Sequence, residues 1–155
     1  GHEAADHDGL AAVLLVELPG SLGAGLGRAL ARAFLDAGSC VVAVARNATS
    51  LESIPTEVQA HRFLAIAADV AEFDQVNSAV ASALEKFGRI DVLFNNAAVY
   101  PKAGFLEETP EEFARAISIN VCGIANCCKA VLPAMIRNDF GRVLNLGSFA
   151  DIAPI

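Results

Sequence analysis

The stretch "CVVAVARN", Cys40–Asn47, decides the fold: an almost unbroken apolar run gives way abruptly to arginine and asparagine. A strand with one wet face alternates apolar with polar residues, whereas a strand covered on both faces does not, which is the habit of parallel sheets flanked by helices. On its N-terminal side, Gly38 ends a helical pattern expected from about Leu26 to Ala37, and a first strand is expected within Ala11–Leu18. Between them lies "PGSLGAGLGRALA", Pro19–Ala31, a turn with glycine at Gly20, Gly23, Gly25 and Gly27 that opens the helix. Glycine lets phosphate come close to backbone N–H groups, and a helix N-terminus carries partial positive charge, so the arrangement suits a phosphorylated ligand. Tight helix packing or turn geometry uses the same residues for a purely structural purpose.

On the C-terminal side the alternation continues. A weaker helix interrupted by Pro55 is expected between Thr49 and Gln59, and a third strand over Phe63–Ala67. Phe73, Val76, Val80, Ala83, Leu84 and Phe87 then recur at steps of three and four with charges between them, giving one apolar helical face that Gly88 closes. "IDVLF", Ile90–Phe94, is the fourth strand. Thr109, Pro110, Glu111 and Glu112 combine an N-cap, proline at the first helical position and acidic groups in the first turn, so a long helix starts there and runs to about Arg137. "GRVLNLGS" makes a fifth strand. Strands alternating with helices predict an α/β fold: a doubly wound, Rossmann-type parallel sheet, here truncated after the fifth strand.

Composition narrows the partners. The 155 residues are 54% hydrophobic, enough for a sizeable core, and the formal net charge is −7 with the 11 basic residues scattered. That argues against a nucleic-acid or anionic-membrane surface. "LAAVLLVEL" from Leu10 is about half the length of a membrane-spanning helix, so a cytoplasmic protein with a small-molecule partner is expected. Residues 1–9 are expected to be a flexible tail or cloning scar preceding a nucleotide-binding domain over 10–155, and His2 and His7 are not read as metal ligands. Cys40, Cys122, Cys127 and Cys128 lack the paired spacing of a zinc site and are expected to be reduced and buried. No metal site is expected.

Candidate site residues fall at strand ends. In NAD-binding sheets an acid about 20 residues past the glycine turn bonds the ribose hydroxyl. Here Arg46 and Asn47 stand at that place. Without the acid a 2′-phosphate is not repelled, and the arginine offers it a forked donor, which favours NADP(H) over NAD(H). Asp69 comes after the third strand, and Asn95 and Asn96 after the fourth, at the sheet edge where open α/β folds bind ligands. A turn-bracing pair of amides is the structural alternative. Asn120 lies mid-helix, where asparagine is a poor helix former, so it is either bonded to backbone or serving a site.

"GLGRALARAF", "AADV", "GRIDVLFNNAA", "SINVCG" and "GRVLNLGS" occur in the order and at the spacings of the short-chain dehydrogenase/reductase family, which the chain resembles across Leu14–Ile155. The resemblance implies hydride transfer between a nicotinamide cofactor, NADP(H) in preference to NAD(H), and a carbonyl or alcohol carbon. By position, Ser148 resembles the serine that bonds the substrate oxygen, and Asn120 the helix asparagine that holds a proton-relay water. Gly20, Ser21, Gly25 and Leu26 fall in the cofactor's glycine turn. Asp69 and Val70 resemble the adenine-contacting pair, and Asn95 and Ala97 the loop bracing the cofactor ribose and the central sheet. The long helix carrying Asn120 resembles part of a homodimer or homotetramer interface.

Three departures stand out. Aligned on Gly25 and Gly27, Gly20 and Ser21 occupy places where the family usually has threonine and glycine, whereas alignment on Pro19 and Gly20 requires one inserted residue; Ala98 replaces a glycine in "NNAA". The family's tyrosine and lysine, which supply and tune its general acid, are expected after Ile155; Tyr100 has no such motif around it. Hydride delivery leaves an alkoxide that a positioned acid must protonate, so the chemistry is expected of the complete gene product and not of these residues alone. The alternative is a catalytically silent nucleotide-binding or regulatory module.

Overall fold

The computed structural model describes residues 13–16, 23–100, 104 and 106–147. Its five strands are β1 (Val13–Val16), β2 (Val41–Ala45), β3 (Phe63–Ala67), β4 (Val92–Asn95) and β5 (Arg142–Asn145). They form one parallel sheet in the order β3-β2-β1-β4-β5. The chain winds from β1 to one flank and then crosses to the other, so the order reverses between β1 and β4. That reversal is the switch point at which doubly wound sheets open a crevice at their carboxyl edge.

The uninterrupted apolar run of β2 has the predicted cause. Val42 and Val44 enter one core with Val76, Val80, Leu93 and Val131. Val41, Ala43 and Ala45 enter another, on the opposite face, with Leu35, Leu51 and Phe63. All five residues of β2 are buried.

Helix α1 (Gly23–Asp36) covers one face, starting about three residues before its expected beginning at Leu26. Its C-terminal carbonyls are satisfied by Ser39 N–H on Phe34 O (2.9 Å) and by Arg62 Nη1 on Leu35 O (2.8 Å). Helix α2 (Phe73–Phe87) packs on the other face and stops at Gly88, whose φ of 78° is left-handed and whose N–H bonds Leu84 O at 2.8 Å. Between β2 and β3 the expected weak helix is replaced by two 3-10 turns, Ala48–Leu51 and Glu57–Arg62. The proline keeps the segment from propagating as one helix.

The long helix begins as predicted: in α3 (Pro110–Ile117) Thr109 and Glu112 cap each other reciprocally. It does not run on unbroken. A π segment, Ser118–Cys122, separates α3 from α4 (Gly123–Arg137). By length and composition Pro110–Arg137 is apolar enough to cross a membrane. In this fold α4 packs along α2 and against β4, burying Cys127, Val131, Ala134 and Met135. Cys127 and Cys128 fill core or partly buried space as expected, but Cys122, at the end of the π segment, is exposed, which corrects the reading of all four cysteines as buried.

Candidate functional site at the carboxyl edge

The registers pair Val16 with Val44 and with Asn95, Ala45 with Ala67, and Asn95 with Asn145. The strands therefore end level, and the residues just past their ends lie along one edge: Arg46 and Asn47 after β2, Asp69 and Val70 after β3, Asn96 and Ala97 after β4, Leu146 and Gly147 after β5. Gly20, Ser21 and Ser148 lie outside the described residues.

Near the switch point, the first turn of α1 holds no acidic residue. Gly25 and Leu26 are exposed there, and among described residues nothing stands within 4 Å of where a Cβ on Gly25 would be. Among the described residues, packing does not demand that glycine. Arg46 is exposed at the end of β2. Asn47, also exposed, caps the adjoining 3-10 turn: its Oδ1 accepts from Thr49 N–H at 3.1 Å and from Thr49 Oγ1 at 2.6 Å.

The turn after β3 is tied more heavily. Asp69 Oδ1 accepts from Ala71 N–H at 3.0 Å, and its Oδ2 pairs with Arg115 Nη2 of α3 at 3.1 Å. Burial raises the pKa of this carboxyl, but the Ala71 N–H, the Arg115 hydrogen bond, and the charges of Arg115 and Arg46 together outweigh it. Asp69 is thus held below the ordinary aspartate range, ionised. Val70 is buried against α4, where a Cβ on Gly123 would come within 2.7 Å of Val70 Cγ2. Asn126 of α4 donates from Nδ2 to Val70 O at 2.9 Å and to Ala71 O at 3.2 Å.

On the other side of the switch point, Asn95 and Asn96 are both buried. Asn95 Nδ2 donates across the sheet to Asn145 Oδ1 at 2.9 Å, and Leu146 N–H bonds Asn95 O at 3.0 Å, so β4 and β5 are locked together just ahead of Ser148 in the sequence. Ala97 is partly buried against the core beside Val99.

Asn120 stands in the π segment and bridges to the loop after β4: Oδ1 accepts from Val99 N–H at 2.8 Å and Nδ2 donates to Val99 O at 2.9 Å. This is the backbone-bonding alternative, and it leaves one amide hydrogen and one oxygen lone pair for a further partner. Tyr100 is 63% exposed. Burial, and after it Cys128, push the Cys127 thiol up to about 12, so it is an inert core group.

Sequence pattern alone does not single out Arg115, Asn126 or Asn145. The signal that flags Asn120, an asparagine inside an apolar helix, is present equally at Asn126. Arg115 and Asn145 carry no local signal, since each is defined by a partner far away in the chain.

Known proteins share this outline. The family profile described as short chain dehydrogenase matches residues 21–155. The 2-(R)-hydroxypropyl-CoM dehydrogenase of Xanthobacter autotrophicus is 40% identical over 134 residues, which are 83% of this chain and 54% of that protein. The crystal structure of a short-chain dehydrogenase from Streptomyces avermitilis superposes with a TM-score of 0.83 at 30% identity, covering 96% of this chain and 52% of that one. A 3-ketoacyl-(acyl-carrier-protein) reductase from Brucella melitensis, crystallised with NADH, gives 0.81 at 29% identity over 93% of this chain and 60% of that one. The chain spans about half the length of the curated relatives it matches.

Proposed function

The chain belongs to the short-chain dehydrogenase family, and from that membership we propose that the whole protein is an NADP(H)-preferring oxidoreductase acting on a small carbonyl or alcohol substrate. The observation that carries the proposal is the level row of Arg46, Asp69, Asn95 and Asn145 along the carboxyl edge, beside the switch point. When bound, the nicotinamide supplies or accepts the hydride.

The residues present fit such a group. The first turn of α1 is free of acidic side chains, as suits a pyrophosphate, and no described atom stands within 4 Å of where a Cβ on Gly25 would be. Arg46 is exposed at the end of β2 and meets the 2′-phosphate with its guanidinium fork. Asp69 and Val70 line the adenine end. Asn95 and Ala97 support the ribose near the reacting centre, with Asn95 anchored through Asn145.

Ser148 orients the substrate oxygen by hydrogen bonding, and Asn120 fixes Val99 while keeping hydrogen-bonding capacity for a water. The acid that protonates the developing alkoxide is a tyrosine that the family resemblance puts after Ile155. We further propose a homodimer or homotetramer in the cytoplasm. Phe113, Ile117 and Val121, spaced four apart and exposed, support an assembly face on the long helical run.

The test is oxidation of NADPH and NADH by the full-length protein across a panel of ketones and aldehydes, with wild type and Arg46→Ser. Wild type is expected to favour NADPH, and Arg46→Ser to lose roughly 10- to 100-fold with NADPH alone, as befits one charge-assisted contact to phosphate. Equal use of both cofactors by wild type would refute the NADP(H) preference. Binding without turnover of any substrate would point to the silent nucleotide-binding module.

A further inference from the structure

The long helical run sends three polar side chains to the carboxyl edge, and two of them converge on one turn. Arg115 in α3 takes Asp69 Oδ2 at 3.1 Å, and Asn126 in α4 takes the carbonyls of Val70 and Ala71 at 2.9 and 3.2 Å. Between them, Gly123 lets Val70 settle against α4, with no room for a Cβ. The turn is therefore held at its carboxylate, its backbone and its valine side chain from α3 and α4, in addition to its local bonds, Ala71 N–H on Asp69 Oδ1 and Asp69 N–H on Gln75 Oε1.

Such a grip is more than the fold alone needs. After β3 the chain enters α2, whose own start is tied locally by Glu72 O receiving Val76 N–H at 3.2 Å. What the clamp fixes is the direction of Asp69. One of its oxygens is bound to Ala71 N–H and the other to the Arg115 guanidinium, so the carboxylate is fixed at both oxygens.

The position of the turn says which ligand it serves. With pyrophosphate at the switch point and the ribose hydroxyls at the end of β2, the base on that ribose extends over the ends of β2 and β3. Ala45 and Ala67 are register partners in the sheet, so the ends of β2 and β3 that carry Arg46 and Asp69 lie side by side.

Resting on the proposed function, we infer that Arg115 and Asn126 are positioning residues for the adenosine half of the cofactor: they hold the Asp69–Val70 turn in the geometry that receives the base. They touch neither the reacting carbon nor the 2′-phosphate. Their loss weakens NADPH and NADH alike and leaves the chemical step intact, whereas loss of Arg46 separates the two cofactors.

The full-length protein is tested as wild type, Asn126→Ala, Arg115→Gln and Arg115→Lys. The probes are NADPH, NADH, reduced nicotinamide mononucleotide, which lacks the adenosine half, and adenosine 2′,5′-bisphosphate as a competitor carrying only that half. Asn126→Ala and Arg115→Gln are each expected to raise KM for both dinucleotides about tenfold at unchanged kcat, the loss of one or two hydrogen bonds' worth of positioning. The competitor weakens in step, while use of the mononucleotide is unchanged. Arg115→Lys, which keeps the charge, restores most of the affinity.

Unchanged dinucleotide KM in both variants, with wild type active, would overturn the clamp and leave the proposed function standing. A parallel fall in mononucleotide use would also overturn it, because the side chains would then be serving the fold at large. Wild type that binds no dinucleotide would overturn the clamp together with the proposed function.

Discussion

On the β3 flank of the sheet, Phe63 is buried, Lys86 Nζ donates to the Phe63 carbonyl at 2.8 Å, and the turn after the strand is gripped by Arg115 and Asn126. On the β5 flank all four strand residues are exposed, and Val143, Leu144 and Leu146 show 38%, 43% and 41% of their surface to solvent. A lysine lying on an edge strand discourages further pairing; an exposed apolar edge invites it. The β3 flank thus carries a protected edge and a fixed turn on the adenosine side of the proposed site. The β5 flank, which leads to Ser148, is secured to β4 through Asn95 and Asn145 and presents an apolar surface outward. On the proposed function, the binding side and the chemical side of the site are held by different devices, and they should fail separately.

The sharpest break in that comparison comes from core truncation. Leu51→Ala on the β3 flank, where the side chain is buried, is expected to cost about 2–5 kcal/mol, while Leu144→Ala on the exposed β5 edge costs less than about 1 kcal/mol. Urea unfolding of the two variants measures both, and equal costs would mean that β5 is covered in solution.

Next in size is Gly123→Ala. The added methyl meets Val70 and is expected to destabilise by about 1–3 kcal/mol, with a shift in the amide resonance of Val70 that leaves Asn145 unmoved.

A smaller effect depends on pH. Asp69 is depressed in the folded chain, so its contribution is fully present above the ordinary aspartate pKa and is lost as the pH falls through the folded value. Arg115→Gln should therefore destabilise at neutral pH, by less than about 1 kcal/mol because the arginine is half exposed, and the gap to wild type should close in acid. A gap independent of pH would assign the cost to packing. The smallest change is expected from Lys86→Met, at most about 1 kcal/mol in stability, read most easily as increased self-association through β3 in sedimentation.

Much of this architecture can be read from local pattern. The unbroken apolar run of β2 carries the evidence of two covered faces, and the three- and four-step spacing of α2 fixes its buried side. The carboxyl-edge placement of Arg46, Asp69 and Asn95 comes from strand order alone.

What local pattern does not carry is anything set by a distant partner. Arg115 meets Asp69 across 46 residues, and Asn126 meets Val70 across 56. The π segment is likewise invisible to a helical period. It coincides with Asn120 bridging to Val99 from inside the helix, and it accompanies the exposure of Cys122. The stretch around Pro55 has the pattern of a weak helix, but the proline lies between two 3-10 turns and keeps the segment from running on as one helix.

The central claim is that the ends of β2, β3 and β4 make one dinucleotide site, and amide hydrogen exchange with and without NADPH tests it most directly. Binding is predicted to slow exchange at residues 46–47, 69–71 and 95–97 together, with the outer β5 residues 142–144 unchanged. Slowing confined to one of these strand ends, or none at saturating NADPH, would contradict it.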